Sequence, residues 1–151
     1  MGAADFFLGL YSTALAPGEL LTEVRLPAMP ARSGWAIEEL ARRHGDYALA
    51  GVAAVVSLDD MGRVAGARVA LVSVHDRPVL AAHAMGVLIG ETPSAAATAA
   101  AADAAATRDA DPSSDIHATA AYRRHLVRVL TRRALAKAVA RASGPWEAAA
   151  G

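Results

Sequence analysis

The chain has 151 residues, with 15 basic side chains balanced by 15 acidic ones and no cysteine. Neutrality removes the electrostatic footprint that nucleic acid or an anionic membrane surface selects, and the lack of thiols excludes disulfides, thiolate zinc sites, cysteine-ligated iron–sulfur clusters and a cysteine nucleophile within this chain. Hydrophobic residues make up 54% of the whole, yet 40 of them are alanine and aromatics reach only 5%, so a core large enough for one domain must be built from valine, leucine and small side chains.

The N-terminal stretch MGAADFFLGLYSTALAPGELL lacks the basic start and long apolar centre of a secretory signal, and the expected compartment is the cytoplasm. Leu20–Leu26 (LLTEVRL) sets Leu20, Thr22, Val24 and Leu26 on one parity against Glu23 and Arg25 on the other. With Pro17-Gly18 before it and Pro27 after it, this segment predicts a strand. The following Ala28–Gly34 (AMPARSG) reads as a linker, placing a domain boundary between residues 1–27 and 28–151. Strands are then predicted at Trp35–Leu40, Ala48–Leu58 and Val64–Val74. Asp59-Asp60-Met61-Gly62 supplies a tight turn between the last two, with glycine where a positive φ is needed.

The remainder reads as helical. Val79–Ile89 follows Pro78 and is ended by Gly90, and Thr92-Pro93-Ser94 opens an alanine-rich helix running to Thr107. That run contains Asp103 and is too short to cross a bilayer. The strongest element is Ile116–Ala142, with Tyr122, Leu126, Val129 and Leu130 at helical spacing and Arg124, Arg128 and Arg132 as a basic row beside them; Ser143-Gly144-Pro145 stops it. Strands first and helices after predict an α+β fold, a small antiparallel sheet of three to four strands backed by about three helices.

Few residues point to chemistry on their own. Arg42-Arg43-His44-Gly45-Asp46-Tyr47 is the densest polar cluster; it either presents a cation to a bound anion or is a polar inter-strand loop in which Asp46 bonds nearby amides. The five histidines show no metal-ligand spacing, His117 and His125 lying two helical turns apart. His75 and Asp76 could form an acid–base pair, or Asp76 could cap the next helix. Ser113, Ser114 and Asp115 could open an anion-binding helix start, although capping alone explains them. The sequence contains no glycine-rich phosphate loop and no nucleophile elbow.

The phrases FFLGLYSTALAPGELLTEVRLP, ARRHGDYALAGVAAVVSLD, ARVALVSVHDRPVLA and DIHATAAYRRHLVRVLTRRAL, in this order, resemble the C-terminal part of the FAD-binding medium subunit of molybdenum hydroxylases, the xanthine dehydrogenase and aerobic carbon monoxide dehydrogenase family. The resemblance covers nearly the whole chain. It implies a subunit that takes electrons from a [2Fe–2S] small subunit, fed in turn by a molybdopterin large subunit, onto FAD. It also implies that Ala4–Pro27 is the last strand region of a flavin-binding domain whose glycine-rich loops are not in this sequence. By the same resemblance Leu20 and Leu21 lie where backbone approaches the flavin. Relatives often place a lysine beside the isoalloxazine ring where this chain has Glu39, or Glu38 if the register slips by one. Arg42, Arg43, Gly45 and Asp46 are implied to border the flavin, whereas Tyr122, Arg123 and Arg124 are read as structural, joining helix to sheet. The chain alone is not expected to turn over substrate. The alternative is a free-standing protein-interaction module of the same fold without flavin.

Overall fold

A computed structural model describes residues 1–144, so Pro145 of the predicted helix stop lies outside the described residues. Four antiparallel strands form the main sheet in the order β3 (Ser33–Ala41), β4 (Ala48–Leu58), β5 (Val64–Val72) and β6 (Val79–Leu80). A small hairpin, β1 (Phe7–Gly9) and β2 (Ser12–Thr13), precedes it, after a single turn α1 (Ala3–Phe6). Three helices make the second layer: α2 (Ala82–Leu88), α3 (Ala95–Ala104), which continues into a π-helical turn at Ala105–Asp109, and α4 (Ala120–Ser143). The expected α+β architecture is the one observed.

Alternation places one face of the sheet against the helices. On β4, Ala50, Val52, Ala54, Val56 and Leu58 are all buried, and β5 contributes Val64, Val69 and Leu71. Helix α4 lies along β3 and β4, α2 leans on β5, and α3 bridges α2 and α4. The heavy use of alanine follows from how closely these layers approach. A Cβ on Gly34 would fall 2.0 Å from the carbonyl oxygen of Ala138 and 2.5 Å from the amide nitrogen of Ala142, so strand and helix meet nearly backbone to backbone.

The buried side of α4 runs through Arg123, Leu126, Val127, Leu130, Thr131, Ala134, Leu135 and Ala138. The predicted stripe therefore holds at Leu126 and Leu130 but not at Tyr122, which is exposed at its edge. Among the described residues Arg123 is the one buried cation. Its Nη1 donates to the Leu49 carbonyl at 2.6 Å and to the Ser73 carbonyl at 3.4 Å, while Nη2 meets Asp115 Oδ2 at 2.6 Å. One side chain thus fastens α4 to the start of β4, the end of β5 and the preceding loop, as implied for the YRRHL segment.

Several predicted elements change. Leu20–Leu26 is not paired in any sheet, and Leu20 and Leu26 are 83% and 86% exposed. A strand needs a neighbour to complete its hydrogen bonds, and among the described residues none lies alongside it. Residues 79–80 join the sheet as β6 because Val79 pairs with Leu71, so the helix there begins only at Ala82. Helix α4 starts at Ala120 rather than Ile116, since Asp115 turns the chain by accepting the amides of His117 and Ala118 at 2.8 and 2.9 Å.

Those two amides, first Ala118 and then His117, with Arg123 adding to them, hold the Asp115 carboxyl below the usual carboxylate range. A carboxyl lowered in the folded state contributes stability that is present above its unfolded value, near pH 4, and is lost as pH falls through the lowered value. The melting temperature should therefore fall on acidification below about pH 4, and Asp115→Asn should flatten part of that slope in a pH series of thermal melts. Part will remain with Asp59, which is also lowered, chiefly by the Arg63 amide. Arg123→Met should cost about 2 kcal/mol in urea unfolding, because it strands the buried Leu49 carbonyl and removes the bonds to the Ser73 carbonyl and the half-exposed Asp115 carboxylate.

Candidate functional site

The connection from β3 to β4 is organised by Asp46. Its Oδ1 accepts the Tyr47 amide at 3.0 Å, and its Oδ2 takes Arg42 Nη2 at 3.1 Å with Arg43 Nε at 3.7 Å. The Asp46 amide closes the turn by donating to the Arg43 carbonyl at 3.2 Å. Gly45 sits at φ +78°, a left-handed conformation that side-chain-bearing residues resist. These bonds are those of the polar inter-strand loop. Asp46 bonds a local amide, and it also gathers two guanidiniums at one place.

These residues border an open cleft of about 400 Å³ lined by Glu39, Arg42, Arg43, His44, Gly45 and Asp46, together with Leu40 and Ala41. Its two carboxylates balance its two guanidiniums. Each guanidinium carries five N–H donors, so both keep donors for an acceptor-rich group after satisfying Asp46. The register of β3 settles which glutamate belongs here. Glu39 pairs with Gly51 and reaches the cleft, whereas Glu38 points to the helix layer and binds Lys137.

Five of the seven residues expected at the site thus come together, and two do not. Leu21 lines a separate depression of about 290 Å³ with Phe6, Phe7, Val24 and others, and Leu20 lines neither. His44, Leu40 and Tyr47 were not singled out as site residues. Tyr47, 93% exposed beside the cleft, carried a signal in its sequence position next to Asp46.

The other polar groups have structural employment. His75 Nε2 lies 2.7 Å from the Asp109 carbonyl and 3.2 Å from the Asp111 amide, so His75 holds the segment after α3. Asp76 does not cap the next helix. Asp109 does, accepting the amides of His83 at 3.0 Å and Ala84 at 2.9 Å, with His83 Nδ1 at 2.7 Å. The basic row on α4 is broken up, Arg124 pairing with Asp111 and Arg128 with Asp103. Ser94 caps α3 through the Ala97 amide, Thr119 caps α4 through that of Tyr122, and Ser114 takes the Ala120 amide. Each N-terminus of α2, α3 and α4 is consequently capped by at least one of the protein's own side chains.

Among the described residues no group of three or more histidine, aspartate or glutamate side chains is placed to hold a metal ion, and no helix is long and apolar enough to cross a membrane.

The profile described as the CO dehydrogenase flavoprotein C-terminal domain matches residues 35–138. The chain is 39% identical over 138 residues to the 6-hydroxypseudooxynicotine dehydrogenase complex subunit alpha of Paenarthrobacter nicotinovorans, covering 91% of this chain and 46% of that protein. It is 38% identical over 145 residues to the carbon monoxide dehydrogenase medium chain of Afipia carboxidovorans, covering 94% and 49%. Among solved structures it superposes on the carbon monoxide dehydrogenase from Hydrogenophaga pseudoflava that lacks the Mo-pyranopterin moiety, with a TM-score of 0.85 and 39% identity, covering 91% of this chain and 47% of that one. Quinoline 2-oxidoreductase from Pseudomonas putida 86 gives a TM-score of 0.82 at 37% identity, covering 93% and 48%. The chain spans about half the length of the relatives it matches.

Because Asp46 ties its two arginines mostly in solvent, Asp46→Ala should change stability by less than about 1 kcal/mol. Amides 43–47 should nevertheless exchange with deuterium markedly faster, a contrast read by comparing urea midpoints with peptide-level exchange.

Proposed function

This chain belongs to the CO dehydrogenase flavoprotein C-terminal domain family, and from that premise we propose that it forms the C-terminal part of the FAD-binding medium subunit of a molybdenum-dependent oxidoreductase. There it walls one side of the flavin site and docks the iron–sulfur small subunit and the molybdenum large subunit. The relatives whose names support this are medium chains or complex subunits, and their substrates differ from one another. Substrate choice is accordingly assigned to the partner that carries molybdenum.

The donor set of this chain suits part of FAD and not the whole. FAD, when bound, supplies redox chemistry that accepts electrons from one centre and passes them to another. A ring with carbonyl edges fits the open cleft of about 400 Å³, where Arg42 and Arg43 offer N–H donors and Gly45 lets backbone come close. The diphosphate is a different matter. Anions of that kind are held by free amide groups at helix N-termini or in glycine-rich nests; here the sequence has no glycine-rich nest, and Asp109, Ser94, Ser114 and Thr119 already cap the starts of α2, α3 and α4. That occupancy is the observation that carries the reading of a wall without an anchor.

Glu39 gives the site its own character. A carboxylate beside a reducible ring disfavours added negative charge there, so in the assembled subunit this side chain would resist the anionic reduced form. Leu20 and Leu21, which lie apart from this cleft, are assigned to the flavin-domain side of the chain in a segment whose backbone pairs with no strand among the described residues.

The experiment is a titration of the 151-residue chain with FAD, followed by flavin fluorescence and by calorimetry. No saturable binding in the micromolar range is expected. Micromolar binding by this chain alone overturns the division between wall and anchor.

A further inference from the structure

A second cavity, of about 530 Å³, opens where the β1–β2 turn, the chain leaving β5 and the loop before α4 come together. It shares no lining residue with the Arg42–Asp46 cleft. Its size lies in the range of small-molecule sites, roughly 300–1,000 Å³. Ser73, held left-handed at φ +62°, turns the chain out of β5 there.

The walls are unevenly charged. Asp76, Asp111 and Asp115 line the cavity against a single guanidinium, that of Arg123. Arg123 neutralises Asp115, and Arg124, which does not line the cavity, meets Asp111 at 3.4 Å. Asp76 is left over. Among the described residues it has no hydrogen bond and no ion pair, and its Oδ2 rests beside Gly9 of β1. The same side chains are not placed to hold a metal ion as a group of three. The positive charge that suits Asp76 is therefore an organic one, held by a charge-assisted hydrogen bond.

Arg123 adds an independent requirement. It is 8% exposed, and its terminal nitrogens donate to the Ser73 carbonyl and to Asp115, both of them walls of the cavity. The Nε of the same guanidinium is wholly buried and finds no acceptor among the described residues. Buried donors are almost always satisfied, so this one requires an oxygen that the chain does not supply. A single water, with a share of about 30 Å³, would answer the donor but fill little of the space and leave Asp76 without a counter-charge.

We propose that this cavity binds a small amino alcohol, a cation carrying a neutral oxygen close to its charged nitrogen. The ammonium pairs with Asp76, the oxygen accepts from Arg123 Nε, and the carbon stem rests on Leu10 and Pro112. An anion of the same size meets three carboxylates and is repelled. A neutral diol satisfies Arg123 and leaves Asp76 unpaired. The site stands independently of the flavin reading, which concerns other residues.

The test is a titration of the isotope-labelled 151-residue chain with ethanolamine, followed by amide shifts in NMR spectra. Ethylene glycol and glycolate serve as the neutral and anionic counterparts, and ethylamine keeps the charge without the oxygen. Saturable binding with a Kd of about 1 mM is expected, with the shifts centred on His75, Asp76 and Ser113. Asp76→Asn should weaken it about tenfold and ethylamine should bind about fivefold more weakly. Asp60→Asn, in the exposed β4–β5 turn, should change nothing, and the melting temperature of Asp76→Asn should match that of the unaltered chain. Absence of saturation overturns the proposal. So does equal binding of ethylene glycol or glycolate, indifference to Asp76→Asn, equal binding of ethylamine, or shifts centred on Arg42–Asp46 instead.

Discussion

Arg123 is the point on which this fold turns. A guanidinium is costly to bury, and the cost is met only where carbonyls and a carboxylate converge on it. Here the Leu49 and Ser73 carbonyls and Asp115 do so, from three different parts of the chain. Together they fix the angle at which α4 crosses β3 and β4. The close packing of Gly34 on Ala138 follows from that angle, since only small residues fit where a helix lies this near a strand. The position of the β3–β4 loop follows in turn, because β4 begins at the strand end that Arg123 grips.

Much of the alanine in this chain is thus architectural. Small side chains let the helix layer sit close to the sheet, and Ala50, Ala54, Ala134 and Ala138 are buried where the layers touch. The polar residues left over sort into two groups. Asp109, Ser94, Ser114, Thr119 and Asp115 spend their oxygens on helix starts. Asp46 spends its own on the loop and its arginines. Among the described residues, the cleft beside Asp46, the unpaired Leu20–Leu26 segment and the outer sheet face stay open to solvent.

The sequence made some of this legible and hid the rest for identifiable reasons. The β4–β5 hairpin could be read because alternation and the Asp-Asp-Met-Gly turn agree. The Arg42–Asp46 loop could be found because charge and glycine cluster between two strands. The start of α4 was misplaced because Asp115 acts as a turn former just before it, and periodicity counts Ile116 as helical although it is 94% exposed. Val79 and Leu80 look helical in isolation and become a strand only through pairing with β5. Asp76 was offered as a cap where Asp109, more than twenty residues beyond the helix it serves, does the work. No local pattern could show that. The Leu20–Leu26 strand was read from alternation alone, but a strand is a relation between two segments, and among the described residues none pairs with it.

The turn between β4 and β5 is self-contained. Asp59 Oδ1 accepts the amides of Met61 and Arg63 at 2.9 and 2.8 Å, and Gly62 takes the left-handed conformation at φ +77°. It lies at the opposite end of β4 from the Arg42–Asp46 loop, and an 11-residue strand spans about 35 Å. A fluorophore grafted at Asp60 would therefore ride on a rigid rod of known length, giving the molecule an internal ruler for resonance energy transfer to any chromophore seated at the far end.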